Sequence, residues 1–133
     1  MSIRKISIFV VTLLLLVGCI ACSQIPHAVR CAYIEWGLAQ SIIQYMDEHD
    51  REMPNKIEDL RPYFRKGEGN LSSLESIDQS VDYVIVDFHS LKRLSSDVNV
   101  TVFKRSRITL PMSIRDGRAL IIDHLKDKRS PKD

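Results

Sequence analysis

Glycine, proline and cysteine are scarce in this chain, and each scarcity excludes a class of protein. Five Gly and five Pro exclude a collagen-like or proline-rich chain, and three Cys are too few for a disulfide framework. The charges nearly balance, with 19 Lys and Arg against 17 Asp and Glu, so the composition predicts no nucleic-acid partner. With 133 residues, of which 44% are hydrophobic and 27% charged, the chain is predicted to form one globular domain.

The amino terminus has the pattern of an export signal. Arg4 and Lys5 precede an apolar run over residues 6–17, which is short for a stable membrane span. The run ends in Leu16-Val17-Gly18-Cys19, which resembles a bacterial lipobox. This resemblance implies cleavage between Gly18 and Cys19 and attachment of diacylglycerol to the Cys19 sulfur. Ordinary signal cleavage and an uncleaved membrane anchor remain as alternatives.

The other two cysteines allow two interpretations. Cys22 and Cys31 could form a disulfide in an oxidising compartment, or Cys31 could be a small buried residue of a helix. We favour the buried residue, because nine positions along one helix would keep the two thiols far apart.

Residues 23–50 are predicted to form one amphipathic helix, with Ser23 as its cap and Pro26 in its first turn. Its apolar side chains recur at spacings of three and four, which indicates one buried face. That face comprises Val29, Cys31, Ala32, Trp36, Leu38, Ala39, Ile42, Ile43, Tyr45 and Met46. The opposite face comprises Arg30, Ser41, Gln44 and Glu48.

A second, short helix is predicted to begin at Asn55, with Glu58 as the reciprocal capping residue. Beyond residue 80 the pattern becomes extended, with strands predicted over 81–88 and 98–103. Asp116-Gly117 predicts a hairpin with arms 108–114 and 118–122. Residues 126–133 are mostly charged and are predicted to be a disordered tail. The order of elements predicts an α+β fold, in which a long amino-terminal helix packs on a small antiparallel sheet.

Part of this pattern resembles the pilin and type II secretion pseudopilin superfamily. The resemblance depends on Leu38-Ala39-Gln40-x-Ile42-x-x-Tyr45-x-Asp47, on Met53-Pro54, on Leu60-x-Pro62-Tyr63 and on the late sequence Arg115 to Leu120. It implies a pilin-like domain. In that family, however, the peptidase site precedes the hydrophobic helix and a glutamate follows it. Here Gly18 lies behind the apolar run and Ser23 stands in place of the glutamate. Filament assembly is therefore not implied.

No motif in the sequence predicts catalysis, a metal or a cofactor. The four histidines show no spaced ligand pair. The acidic segment Asp47 to Glu52 around His49 could attract calcium, but it lacks the ligand spacing of an EF-hand and is better interpreted as a solvated helix end. Asp123-His124 could pair an acid with a base, although no nucleophile accompanies them. The arginines of the predicted hairpin region, Arg105, Arg107, Arg115 and Arg118, favour a solvated sheet face.

The sequence thus predicts a non-catalytic lipoprotein of the bacterial cell envelope, exported by the general secretory route. Its predicted parts are a signal peptide over 1–18, a lipidated linker over 19–25, a pilin-like domain over 26–125 and the tail. Its partners would be membrane lipid, reached through the acylated Cys19, and an unidentified envelope protein. The alternatives are a pseudopilin-like protein with an uncleaved helix and a small calcium-dependent binding domain.

Overall fold

A computed structural model describes residues 3–107 and 116–127 of the chain. The α-helices are α1 (Ile3–Glu48), α2 (Phe88–Arg93) and α3 (Gly117–Asp127), and the strands are β1 (Val84–Val86) and β2 (Phe103–Arg105). Three 3₁₀ helices occupy Ile57–Tyr63, Gly69–Leu71 and Ile77–Asp82. A long amino-terminal helix with a small antiparallel sheet confirms the predicted α+β class.

Helix α1 is longer than the sequence predicted. It begins at Ile3 instead of after a cap at Ser23, so residues 19–25, predicted to be a linker, are helical. Pro26 lies inside the helix. A proline removes one backbone donor and often kinks or ends a helix, but α1 continues through Pro26. The predicted start of the helix was wrong because Ser23 and Pro26, which favour a helix start, lie here inside a longer helix.

The second half of α1 is the centre of the hydrophobic core. Its most deeply buried large side chains are Ile34, Leu38, Ile42 and Met46, at spacings of four that place them on one face. Short segments wrap around this face and contribute Leu60, Leu71, Leu74, Ile77, Val84, Leu91, Leu94, Val102 and Ile121. Ser41, predicted to be on the polar face, is buried, and its hydroxyl donates to the Gly37 carbonyl 3.0 Å away. That bond satisfies the hydroxyl without water.

Beyond Glu48 the chain reverses through two residues of positive φ. Asp50 and Arg51 have φ of 50° and 69°, and the Arg51 N–H donates to the Met46 carbonyl. The predicted short helix is the 3₁₀ helix Ile57–Tyr63, and its capping residue is Asp59, not Glu58. The Asp59 carboxylate accepts from the Asn55 and Lys56 N–H groups, since the tighter 3₁₀ turn starts one residue later than predicted.

The sheet is smaller than the three or four strands that the sequence predicted. Within the described residues it has two antiparallel strands of three residues, with Ile85 opposite Lys104. The predicted strand over 81–88 is divided, because residues 77–82 form a 3₁₀ helix and Asp87 caps α2. Of the predicted strand over 98–103, only Phe103 is in β2. Alternating valines favour extended backbone, but they cannot by themselves supply a neighbouring strand.

The predicted hairpin around Asp116-Gly117 was wrong. Residues 118–122, predicted as its second arm, lie in α3, while the first arm, 108–114, is outside the described residues. Asp116 acts as a helix cap, its carboxylate accepting from the Arg118 N–H at 2.9 Å. Aspartate is favoured both in tight turns and at helix caps, so the dipeptide is ambiguous. Helix α3 also includes Lys126 and Asp127, which were predicted to be disordered; the rest of the predicted tail lies outside the described residues.

Candidate membrane-attachment segment

The first half of α1 is an apolar helix without contacts that bury it. Its large side chains are exposed on every side of the helix, among them Phe9 (64%), Leu15 (66%) and Ile20 (53%). The first buried residue of the described chain is Ala28, from which point one face of the helix enters the core. A helix that is apolar all round and exposed needs an apolar environment that the domain itself does not supply.

The exposed half of α1 is long enough to cross a bilayer. Its most apolar 18-residue stretch is not buried at all, and by length and composition α1 qualifies as a membrane span or an export signal. The uncharged residues 6–25, which follow Arg4 and Lys5, extend over about 30 Å at 1.5 Å per residue, the thickness of a bilayer hydrocarbon core. The chain therefore carries an amino-terminal helix of the kind that serves as a signal or an anchor.

The predicted lipidation site lies within this helix. A side chain at Gly18 would meet no atom within 4 Å, and both Cys19 and Cys22 are free and exposed. Cys31 is a free thiol with no exposed surface, and its Sγ lies 3.7 Å from the Tyr83 carbonyl oxygen. This placement confirms the interpretation of Cys31 as a buried residue. Cleavage at Gly18 and acylation of Cys19 stay predictions.

Where the apolar segment meets the domain, two arginines form hydrogen bonds between the helix and the chain around it. The Arg105 guanidinium donates to the Ala28 carbonyl at 3.1 Å, and the Arg30 guanidinium donates to the Ser73 carbonyl at 2.9 Å. Arg30 also lies over the Tyr83 ring, 4.6 Å from its centre. The His27 ring packs beside Tyr83, and its buried Nε2 has no hydrogen-bond partner within the described chain. These contacts join the base of the exposed helix to the domain.

The contacts of the Glu35 carboxylate were not predicted from the sequence. Glu35, on α1, accepts from the Gly117 N–H at 3.0 Å and lies 3.7 Å from the Arg105 guanidinium. Burial raises the pKa of Glu35, although the Gly117 N–H and Arg105 oppose that shift. Glu35 was missed because its partners are far away in sequence; a lone acidic residue beside the apolar face was the available signal. Its geometry joins α1 to the start of α3.

The acidic segment Asp47 to Glu52, at the end of α1, does not form a metal site in the part of the chain that the structure describes. No three His, Cys, Asp or Glu side chains there converge in a way that could hold an ion. Instead, the Glu48 carboxylate accepts from the Tyr63 hydroxyl at 2.8 Å, and Asp47 Oδ1 lies 2.9 Å from His124 Nε2. Desolvation, and then the bond to Glu48, raise the pKa of Tyr63 to about 12. His49 stacks on Tyr45, with ring centres 4.0 Å apart.

The remaining candidate groups also make contacts within the fold. His124 contacts Asp47 on α1 and not Asp123, the neighbour with which it could have formed an acid–base pair. Arg118, predicted to be on a solvated sheet face, lies instead in α3 beside Asp116, and it donates to the Val100 carbonyl. Arg107 is exposed, and Arg115 lies outside the described residues.

No family model, curated protein or solved structure matches this chain. Its function is therefore argued from the exposed helix and the domain attached to it.

Proposed function

We propose that this chain is a membrane-tethered protein of the bacterial cell envelope, whose domain has a structural or protein-binding role and no catalytic activity. The observation that carries the proposal is the exposed, apolar first half of α1, which continues without interruption into the core helix of the domain. A domain held in this way is confined to a surface, so that even a weak partner on the same membrane meets it at high effective concentration. A secretion or pilus apparatus is the kind of assembly that the pseudopilin resemblance suggests.

The proposed attachment is lipid on Cys19. The Leu16-Val17-Gly18-Cys19 sequence supports it, as does the exposure of the Cys19 thiol. After cleavage, Cys19 would be the first residue of the mature chain. About nine residues of helix, or 13 Å, would then separate its acyl chains from Ala28, the first buried residue. Two or more acyl chains hold a protein on a membrane firmly, whereas one does not.

An uncleaved membrane helix is the second candidate. It is favoured by the continuity of α1 from Ile3 to Glu48, because no irregular segment separates the apolar half from the domain. In this form the protein would be a pseudopilin-like membrane protein, and residues 6–25 would cross the bilayer as one span.

Metabolic labelling with palmitate, combined with the intact mass of the mature protein, tests both forms. The wild type is compared with Cys19→Ser, and Cys22→Ser serves as the matched control, because both thiols are exposed on the same helix. We expect label in the wild type and in the Cys22 variant, none in Cys19→Ser, and a mass that begins at an acylated Cys19. An unlabelled membrane protein with residues 1–18 intact would instead establish the uncleaved helix. An unlabelled protein free in solution would overturn the proposal.

A further inference from the structure

An open cavity of about 380 Å³ lies at the base of the exposed helix. One wall is a single face of α1, formed by Pro26, Val29, Arg30 and Tyr33 at helical spacing. The other wall is the loop from Gly69 to Ser73, which contributes the side chains of Asn70, Ser72 and Ser73. Its lining thus combines apolar side chains, a guanidinium, hydroxyls and an amide.

Arg30 is oriented in this cavity by neutral groups. Its Nη2 and Nε donate to the Ser73 carbonyl and hydroxyl at 2.9 and 3.3 Å, and its guanidinium lies over the Tyr83 ring. Guanidinium has five N–H donors, so further donors remain available for a ligand. Among the described residues no carboxylate forms an ion pair with Arg30. The acidic residues that follow Ser73 in sequence pair elsewhere, Glu75 with Lys66 and Asp78 with Arg61. The cavity therefore holds a fixed positive charge that is not neutralised by the chain around it.

The position of Arg30 along α1 places it beside lipid headgroups. The exposed apolar side chains of the amino-terminal segment continue as far as Ile25, and Arg30 follows about 7.5 Å farther along the helix axis. The headgroup layer is about 5–7 Å thick on each side of the hydrocarbon core. Tyr33, 52% exposed, lies one turn beyond Arg30, where interfacial aromatic side chains are common.

From these observations we infer that Arg30, with the hydroxyls of Ser72 and Ser73, binds the phosphate of an anionic phospholipid at the membrane surface. Planar guanidinium groups bind phosphate through paired, charge-assisted hydrogen bonds. The apolar side chains of Pro26 and Val29 would contact the start of an acyl chain. The inference rests on the proposed membrane attachment. In the uncleaved form Arg30 follows the span directly. In the cleaved form the helix from Cys19 to Arg30, about 16 Å long, brings Arg30 to the headgroups when it lies along the membrane surface.

Native mass spectrometry of the protein purified from membranes in detergent tests this site. Phosphatidylglycerol and phosphatidylcholine are titrated separately against the wild type, Arg30→Gln and Arg30→Lys. We expect the wild type to prefer phosphatidylglycerol, Arg30→Gln to lose about tenfold in affinity for it, and Arg30→Lys to lose less, since one charge-assisted contact is worth about 1.5–3 kcal/mol. Arg93→Gln is the matched control, because Arg93 is an exposed arginine that pairs within α2 and the loop after it.

The outcomes separate this inference from the proposed function. Equal affinity of the wild type and Arg30→Gln for phosphatidylglycerol would overturn the site, as would an equal loss in Arg93→Gln. If inorganic phosphate competes with the lipid at the same concentration, the site binds free phosphate and the lipid assignment is wrong. Carbonate extraction of membranes is done in parallel: a wild-type protein released by carbonate contradicts the proposed membrane attachment itself. A protein that stays in the membrane but shows no lipid preference contradicts only the site.

Discussion

Single carboxylates fix the starts of the short helices in this fold. Asp59, Asp87 and Asp116 each accept a backbone N–H at the start of a helix, which satisfies donors that the helix leaves without partners. Glu35 does the same for α3 from a different element, through the Gly117 N–H. Because these helices are short, they depend on packing against the core, and each such bond adds about 1 kcal/mol to their stability.

Asp87→Ala should destabilise the protein by about 1 kcal/mol, the usual value of a helix cap. The Asp87 carboxylate accepts from the N–H and the hydroxyl of Ser90, and both bonds would be lost. Urea unfolding of the purified protein, followed by circular dichroism, measures the change. Asp82→Ala is the control, since Asp82 is exposed and its carboxylate makes no recorded hydrogen bond in the described chain. Equal stability of Asp87→Ala and the wild type would show that the cap contributes nothing.

The same carboxylate predicts a pH dependence. The Ser90 N–H, and then its hydroxyl, lower the pKa of Asp87, so the folded state favours the ionised form. Its contribution to stability is present above the ordinary pKa of aspartate, about 4, and is lost as the pH falls through the lower folded pKa. The free energy difference between the wild type and Asp87→Ala should therefore shrink below about pH 4. A difference that stays constant from pH 7 to pH 3 would contradict this assignment.

Glu35 has the opposite pH dependence. Burial raises its pKa, so its neutral form is favoured in the folded state, and its contribution is present below the ordinary pKa and lost as the pH rises through the folded value. Glu35→Gln keeps an acceptor for the Gly117 N–H but cannot ionise. The stability of Glu35→Gln relative to the wild type should therefore increase between about pH 4 and pH 7, measured by urea unfolding at each pH. A relative stability that is flat or falls with pH would contradict the raised pKa.

At the scale of elements, α1 is the surface on which α3, β1 and the 3₁₀ helices Ile57–Tyr63 and Gly69–Leu71 are assembled. Gly37 shows how closely they approach it: a Cβ at this position would lie 2.6 and 2.7 Å from two carbon atoms of Leu71, in the 3₁₀ helix Gly69–Leu71. Glycine is needed here because of this close approach, and not because of its backbone conformation.

Gly37→Ala should accordingly destabilise the protein by about 1–3 kcal/mol, despite the better helix propensity of alanine. Thermal unfolding measures the loss. The double variant Gly37→Ala with Leu71→Ala provides the control, because shortening Leu71 removes the atoms that the new methyl group would meet. We expect the double variant to be more stable than the sum of the two single losses predicts. Simple additivity of the two losses would show that Gly37 and Leu71 do not clash.

The elements also show how far the sequence can predict this fold. The core face of α1 repeats every three to four residues over several turns, which is a strong signal, and Leu38, Ile42 and Met46 were predicted from it. Ile34 and Ser41, which are also buried there, were not predicted to be. The strands are only three residues long, too short for alternation to define them. Asp116-Gly117 favours a turn locally, but Glu35 binds the Gly117 N–H from a distant element, and that contact has no local signature. The cavity at Arg30 likewise depends on Ser73 and Tyr83, which no spacing in the sequence connects to it.

For the whole molecule, the division of α1 into an exposed half and a core half implies that the domain folds without the apolar amino-terminal segment. A chain of residues 26–133 should therefore unfold cooperatively. Its thermal midpoint should lie within about 4 °C of that of the full-length protein, because the deletion should lower the free energy of unfolding by less than about 1 kcal/mol. The first buried residue, Ala28, is retained, and so are the bonds from Arg105 and Arg30 that fasten this end of the helix.

Calorimetry of the shortened and full-length proteins in the same detergent measures this midpoint, and flotation with lipid vesicles measures whether the shortened chain still binds membranes. A chain of residues 34–133 is the control, because it also lacks Ala28, Cys31 and Ala32, which are buried in the core. We expect this control to lose its cooperative transition, while residues 26–133 keep theirs and no longer float with neutral vesicles. If residues 26–133 failed to fold, the apolar half of α1 would have a structural role in the domain. If they folded and still floated, the domain would bind membranes independently of that helix.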